Sequence, residues 1–112
     1  MKEPTEIVIF ITTANEQEAQ AISKLLLEKR LIACANIVSK VNSIFWWQGN
    51  LESEDECLLI LKTKASMLDK IVDEVKLAHS YDIPEIIALP IIGGNEDYLK
   101  WIGDETKKQA KR

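Results

Sequence analysis

Apolar residues along this chain fall into two patterns, and the switches between them mark out the elements. Ile7-Val8-Ile9-Phe10-Ile11 and Cys57-Leu58-Leu59-Ile60-Leu61 are unbroken apolar runs, which predict strands covered on both faces. Ala19, Ile22, Leu25 and Leu26 instead recur at helical spacing to about Arg30. Leu68, Ile71, Val72, Val75 and Ala78 follow i, i+3, i+4, i+7 and i+10, predicting a second helix. Thr13-Ala14-Asn15-Glu16 reads as a capping box for the first helix, with Asn15 and Glu18 as a second register. Ser66-Met67-Leu68-Asp69 is expected to cap the second. Another strand is expected from near Ile32 to Trp47, long enough to need a bend or bulge. Gly49-Asn50 is expected to close a tight hairpin, because both residues tolerate positive φ. Pro84 to Leu89 reads as a fourth strand whose prolines suit a sheet edge. Gly93-Gly94-Asn95 ends it and caps a last helix with Glu96 and Asp97 in its first turn.

The resulting order, β-α-β-β-α-β-α, is an α+β, ferredoxin-like split βαβ pattern with an antiparallel sheet, in one domain over residues 1–112. Right-handed crossovers would put both main helices on one face of the sheet, with strands 7–11 and 57–61 as the central pair. The other face would then present apolar residues to water. Trp46 and Trp47 are neighbours on a strand, so they point to opposite faces and cannot share one core. Both observations predict self-association, with Trp46 and Trp47 at the interface.

Composition narrows the functional classes. The 112 residues carry a formal charge of −4, which argues against nucleic acid as the main partner. The one basic cluster, Lys107-Lys108 with Lys111-Arg112, reads as complementing a helix dipole. No apolar run approaches the ~18 residues of a membrane span, so no membrane partner is expected. Acidic residues interrupt Met1 to Glu6 before any apolar region, which is not a signal-peptide pattern. With two isolated cysteines and no disulfide expected, the cytoplasm is the predicted compartment.

Candidate chemistry is sparse. His79, the only histidine, falls just after the second helix, either as a helix-terminus residue or as a metal ligand. One imidazole per chain cannot fill a transition-metal shell, so further ligands would have to come from another subunit. Cys34 and Cys57 lie in strand contexts and read first as small apolar residues; Cys34 is the better candidate for a soft metal. Glu52-Ser53-Glu54-Asp55-Glu56 lacks the spacing of a calcium loop and reads as solvated, except Glu56, which leads into a buried strand. Lys62 could pair with Glu56 or with a ligand across a subunit boundary. Glu56, Lys62, Tyr81, Glu85 and Tyr98 are candidates for a polar pocket between subunits. No phosphate-binding loop, dinucleotide fingerprint or catalytic triad is present, so no catalytic residue is assigned.

Five blocks carry a family resemblance. They are Leu31-Ile32-Ala33-Cys34-Ala35-Asn36, Phe45-Trp46-Trp47-Gln48-Gly49, Glu56 with Leu61-Lys62-Thr63, His79 to Ile86, and Asn95 to Ile102. In this order and spacing the chain resembles the CutA family of divalent-cation tolerance proteins. The resemblance implies a tight homotrimer of ferredoxin-like protomers, similar in assembly to PII-type signalling proteins, and a link to copper and other divalent cations. Members credited with copper binding carry a cysteine where this chain has Ile11, and a histidine pair where it has Ala78-His79. Only His79 of those three ligands is present, so weak copper binding is expected. The alternative on the same architecture is a PII-like trimer holding a small anion or metabolite between subunits. It would lack a long effector loop, because the hairpin closes tightly. An acylphosphatase-like enzyme is a third option, for which Arg30 and Arg112 are the only arginines.

Overall fold

Strand alternation separates a helix-covered face from an open one. In a computed structural model that describes residues 5–107, β1 (Glu6–Thr13) buries Ile7, Ile9, Ile11 and Thr13 and leaves Val8, Phe10 and Thr12 half-buried. The chain continues through α1 (Glu16–Glu28) into β2 (Cys34–Trp47) and β3 (Asn50–Lys64). β3 buries Cys57, Leu59, Leu61 and Thr63 on the same side as the buried residues of β1. After a short 3-10 turn at Ala65–Met67 come α2 (Leu68–Ala78), β4 (Ile86–Pro90) and α3 (Glu96–Glu105). The sheet order is β2-β3-β1-β4 with antiparallel neighbours, so the two apolar runs are its central strands and β4 is an edge.

One core joins Ala19, Ile22 and Leu26 of α1 to Ile71 and Val75 of α2 and to the buried residues of β1 and β3. The opposite sheet face is covered among the described residues only at one end, where α3 lies near Cys34 of β2 and buries Ile102; beyond it Val8, Phe10, Leu58 and Ile60 are half-buried, and Val38, Ile87 and Leu89 are exposed.

Several boundaries differ from the sequence expectation. The first helix takes the second capping register: Asn15 Oδ1 accepts the Glu18 N–H at 2.8 Å, and the Glu18 side chain accepts the Ala14 N–H at 3.0 Å. Ser66 does not cap α2; the 3-10 turn leads straight into the helix, and Met67 stands at the cap with no side-chain bond. β2 starts at Cys34 rather than near Ile32, because Leu31 and Ile32 are buried in the connection, where Thr63 Oγ1 donates to Leu31 O at 2.6 Å. The expected bend is a bulge between Val38 and Val41, with Lys40 at φ 58°. The hairpin turn is Gln48-Gly49, not Gly49-Asn50: Trp47 pairs with Asn50, and φ is 51° at Gln48 and 82° at Gly49. Positive φ at both central residues is a type I′ turn, whose twist suits the flanking strands. β4 is Ile86–Pro90, slightly later than expected. The basic residues from Lys108 onward lie outside the described residues.

Candidate functional site

The sheet is stepped, and the step creates the site. β1 ends at Thr13 opposite Cys57, but the β2–β3 ladder runs on from Val41↔Glu56 to Trp47↔Asn50. The α2–β4 connection, residues 79–85, lies at the mouth of this step and is anchored by polar contacts. His79 Nε2 bonds Thr12 O at 2.8 Å, and its Nδ1 accepts the Tyr81 N–H at 3.0 Å. A carbonyl only accepts, so this network assigns the proton to Nε2. Both ring nitrogens are therefore occupied, and the imidazole is fully enclosed. Glu18 joins α1 to the same connection, accepting the Ser80 N–H at 2.8 Å as well as the Ala14 N–H. Burial pushes the Glu18 carboxyl up, but the bonds from Ala14 and Ser80 outweigh it and hold the group below its ordinary range.

Tyr81 turns into the step, where its hydroxyl donates to Glu56 Oε2 at 2.7 Å. Its ring lies 4.8 Å from the His79 ring. Burial, and then the Glu56 carboxylate beside it, raise the Tyr81 phenol well above its ordinary value. The phenol thus remains a donor, which is what a buried carboxylate requires. Cross-strand pairing puts Glu56, Glu54, Glu52, Phe45 and Trp47 on one face of the hairpin. Together with Tyr81, Asp82 and Glu85 they line a groove of about 860 Å³.

A second polar cluster lies on β2 and β3, around the register pair Cys34↔Lys62. The Lys62 ammonium donates to Asn36 Oδ1 and sits 3.9 Å from Cys34 Sγ. Burial, and then the neighbouring Cys34 thiol, raise the Tyr98 phenol. The candidate pocket residues therefore divide between two places: Glu56, Tyr81 and Glu85 share the groove, whereas Lys62 and Tyr98 gather at Cys34. Lys62 cannot pair with Glu56 within one chain, since six strand residues span about 20 Å.

This architecture is shared with characterised proteins. Residues 7–105 match the family described as CutA1 divalent ion tolerance protein. The chain belongs to the CutA1 family. It is 45% identical over 101 residues to the divalent-cation tolerance protein CutA of Thermus thermophilus, covering 90% of this chain and 98% of that one. It is 41% identical over 102 residues to the chloroplastic protein CutA 1 of Oryza sativa, and 39% identical over 101 residues to the chloroplastic protein CutA of Arabidopsis thaliana. Those matches cover 91% and 90% of this chain but only 58% and 56% of the plant proteins. Among solved structures, the Thermus protein superposes with a TM-score of 0.89 at 44% identity, covering 91% of this chain and 99% of that one. CutA1 of Oryza sativa gives 0.91 at 39% identity, covering 96% and 98%.

Within this CutA1 chain the candidate metal residues are separated by the fold. Ile11, standing at the position the resemblance assigns to a thiol ligand, is fully buried in the core. Cys34 lies beside an ammonium group, which disfavours a cation there. Cys57 is a free thiol buried in the core. Among the described residues, no three His, Cys, Asp or Glu side chains converge on a metal-binding geometry. Trp46 and Trp47 do face opposite ways: Trp46 is 73% exposed beside Leu51 and Ile44, whereas Trp47 lines the groove. The sequence reading missed Glu18 and Thr12. The capping pattern pointed to Glu18, but its bond to Ser80 spans 62 positions and has no sequence signal.

Proposed function

We propose that the chain acts without catalysis as a homotrimer of ferredoxin-like protomers, in the cytoplasmic response to divalent cations including copper, with weak direct metal binding. The observation that carries the assembly is uncovered apolar surface on both sides of the sheet: the open sheet face on one side and, on the other, Ile44, Trp46 and Leu51 where the hairpin runs beyond the helices. A patch of this extent marks an interaction surface. The sheet has two unlike open edges, β2 and β4. Joining one to the other in a neighbouring copy is a head-to-tail contact, which forms a ring when its rotation closes, and three copies make the smallest such ring. Weak metal binding is supported by the occupied nitrogens of His79 and by Lys62 beside Cys34. The cytoplasmic assignment is supported by two thiols in no disulfide.

Sedimentation equilibrium is expected to give three times the 12.7 kDa chain mass. A folded monomer at sub-micromolar concentration, which means association weaker than about 8 kcal/mol, would overturn the assembly. Calorimetric titration of the same species with Cu(II) is expected to show no site tighter than about micromolar. A nanomolar site that persists in His79→Ala would overturn the metal reading.

A further inference from the structure

Cys34 and Lys62 stand together in a way that neither the metal response nor the assembly uses. They face each other as a register pair of β2 and β3, so their side chains leave the backbone side by side on one face of the sheet. Lys62 Nζ lies 3.9 Å from Cys34 Sγ and donates to Asn36 Oδ1, which holds it there. The thiol lies 3.9 Å from the same amide oxygen, in line with a weak S–H donor. Lys62 is half-buried, yet it joins no salt bridge among the described residues. Its amine is thus set against a sulfur and not against a carboxylate.

The two cysteines differ in their surroundings. Cys57 is buried in the helix-covered core, opposite Thr13. Cys34 is half-buried at the end of the other sheet face, the end that α3 covers, with Tyr98 of α3 against its thiol. That cover comes from the chain itself and not from a neighbouring copy. Reactive thiols sit in electropositive, partly exposed surroundings, whereas enclosed apolar ones are inert. Cys34 meets both conditions and Cys57 meets neither. A disulfide, the common fate of an oxidised thiol, is closed within the chain, because Cys57 lies on the opposite face of the sheet from Cys34.

We propose that Cys34 and Lys62 form a reversible covalent cross-link when a peroxide oxidises the thiol. The sulfur attacks a peroxide oxygen and the O–O bond breaks, giving a sulfenic acid and water. Sulfur loses two electrons in this step and the peroxide gains them. A sulfenic acid condenses with a nitrogen held beside it to give a sulfenamide, and here that nitrogen is Lys62 Nζ. The ammonium releases one proton to solvent, its freed lone pair attacks Sγ, and the S–O bond breaks. The departing hydroxide takes a second proton from nitrogen and leaves as water. The new S–N bond ties β2 to β3 and removes the Lys62 charge. A dithiol reverses it, returning thiol and amine while itself becoming a disulfide. Both residues belong to one chain, so the cross-link depends neither on the metal reading nor on the number of copies.

The test treats the full-length protein, in its native assembly, with hydrogen peroxide in modest excess and reads the product by intact mass and by mapping of proteolytic fragments. The expected product has lost two hydrogens per chain and joins the fragments that carry Cys34 and Lys62. Dithiothreitol should restore the parent mass. Lys62→Arg should abolish the link while Cys34 still takes up oxygen, because a guanidinium stays protonated and offers no lone pair. Cys34→Ser should abolish both. Circular dichroism and sedimentation of the untreated variants should match the parent. Linked protein should unfold at a higher urea concentration than untreated protein, since the bond closes a loop of the unfolded chain, and Lys62→Arg treated alike should show no such shift. Three results would each overturn the proposal: oxygen uptake at Cys34 with no link to Lys62; a link from Cys34 to a different lysine or to a second chain; or a Cys34 thiol left intact by peroxide that oxidises free cysteine under the same conditions.

Discussion

Trp46→Asp is expected to split the oligomer. Trp46 pairs across the hairpin with Leu51, on the same face as Ile44, and the three are 73%, 63% and 67% exposed. None of the described residues covers them, so in the trimer another copy does. Truncating a covered Trp costs about 3–5 kcal/mol, and an unpaired carboxylate in its place adds a desolvation penalty. Sedimentation equilibrium should show the mass falling from three chains toward one, with a lower apparent melting temperature that depends on protein concentration. An unchanged mass and melting temperature in Trp46→Asp would show that the hairpin tip is not an interface.

His79→Ala should be the most costly change at the step. The ring is fully enclosed and ties Thr12 of β1 to Tyr81 through two hydrogen bonds. Removing it leaves a cavity and strips partners from the Thr12 carbonyl and the Tyr81 N–H, for a total of about 2–4 kcal/mol. Urea unfolding of the assembled protein, at constant protein concentration and with an unchanged slope, measures it. Loss of less than about 0.5 kcal/mol would mean the contacts are incidental. Glu18→Gln tests the other tether. A carboxyl held below its ordinary value stabilises the fold fully above about pH 5, and this contribution is lost as the pH falls through about 4 and below. The variant should therefore be less stable than the parent near neutrality, and the difference should shrink as the parent is acidified. A constant difference across that window would remove Glu18 from the acid response.

The central strands were legible because local pattern and final environment agree. Ile7–Ile11 and Cys57–Leu61 are apolar on both faces since helices cover one and the other lies on the open sheet face. Asn15 and Asn95 were legible as helix caps for a similar reason: a short side chain reaching N–H groups two or three residues on is a local event. The hairpin turn was misplaced by one residue. Gln48 takes positive φ there, because the ladder pairing Trp47 with Asn50 outweighs the local preference of Gly-Asn. Ser66 misled in the opposite way, offering a local cap that the 3-10 turn made unnecessary.

What the sequence by itself determined was the element order, the central pair of the sheet and the presence of an apolar face without cover, all of which follow from periodicities no longer than a helix turn. Which candidate residues meet was decided only by the tertiary structure. Tyr81 reaches Glu56 across 25 positions, and Ser80 reaches Glu18 across 62, because β1 stops short of the hairpin and the α2–β4 connection lies at the step. Lys62 was parted from Glu56 and paired with Asn36 and Cys34 because strand register fixes cross-strand neighbours, whereas a run of sequence fixes only which face a residue occupies.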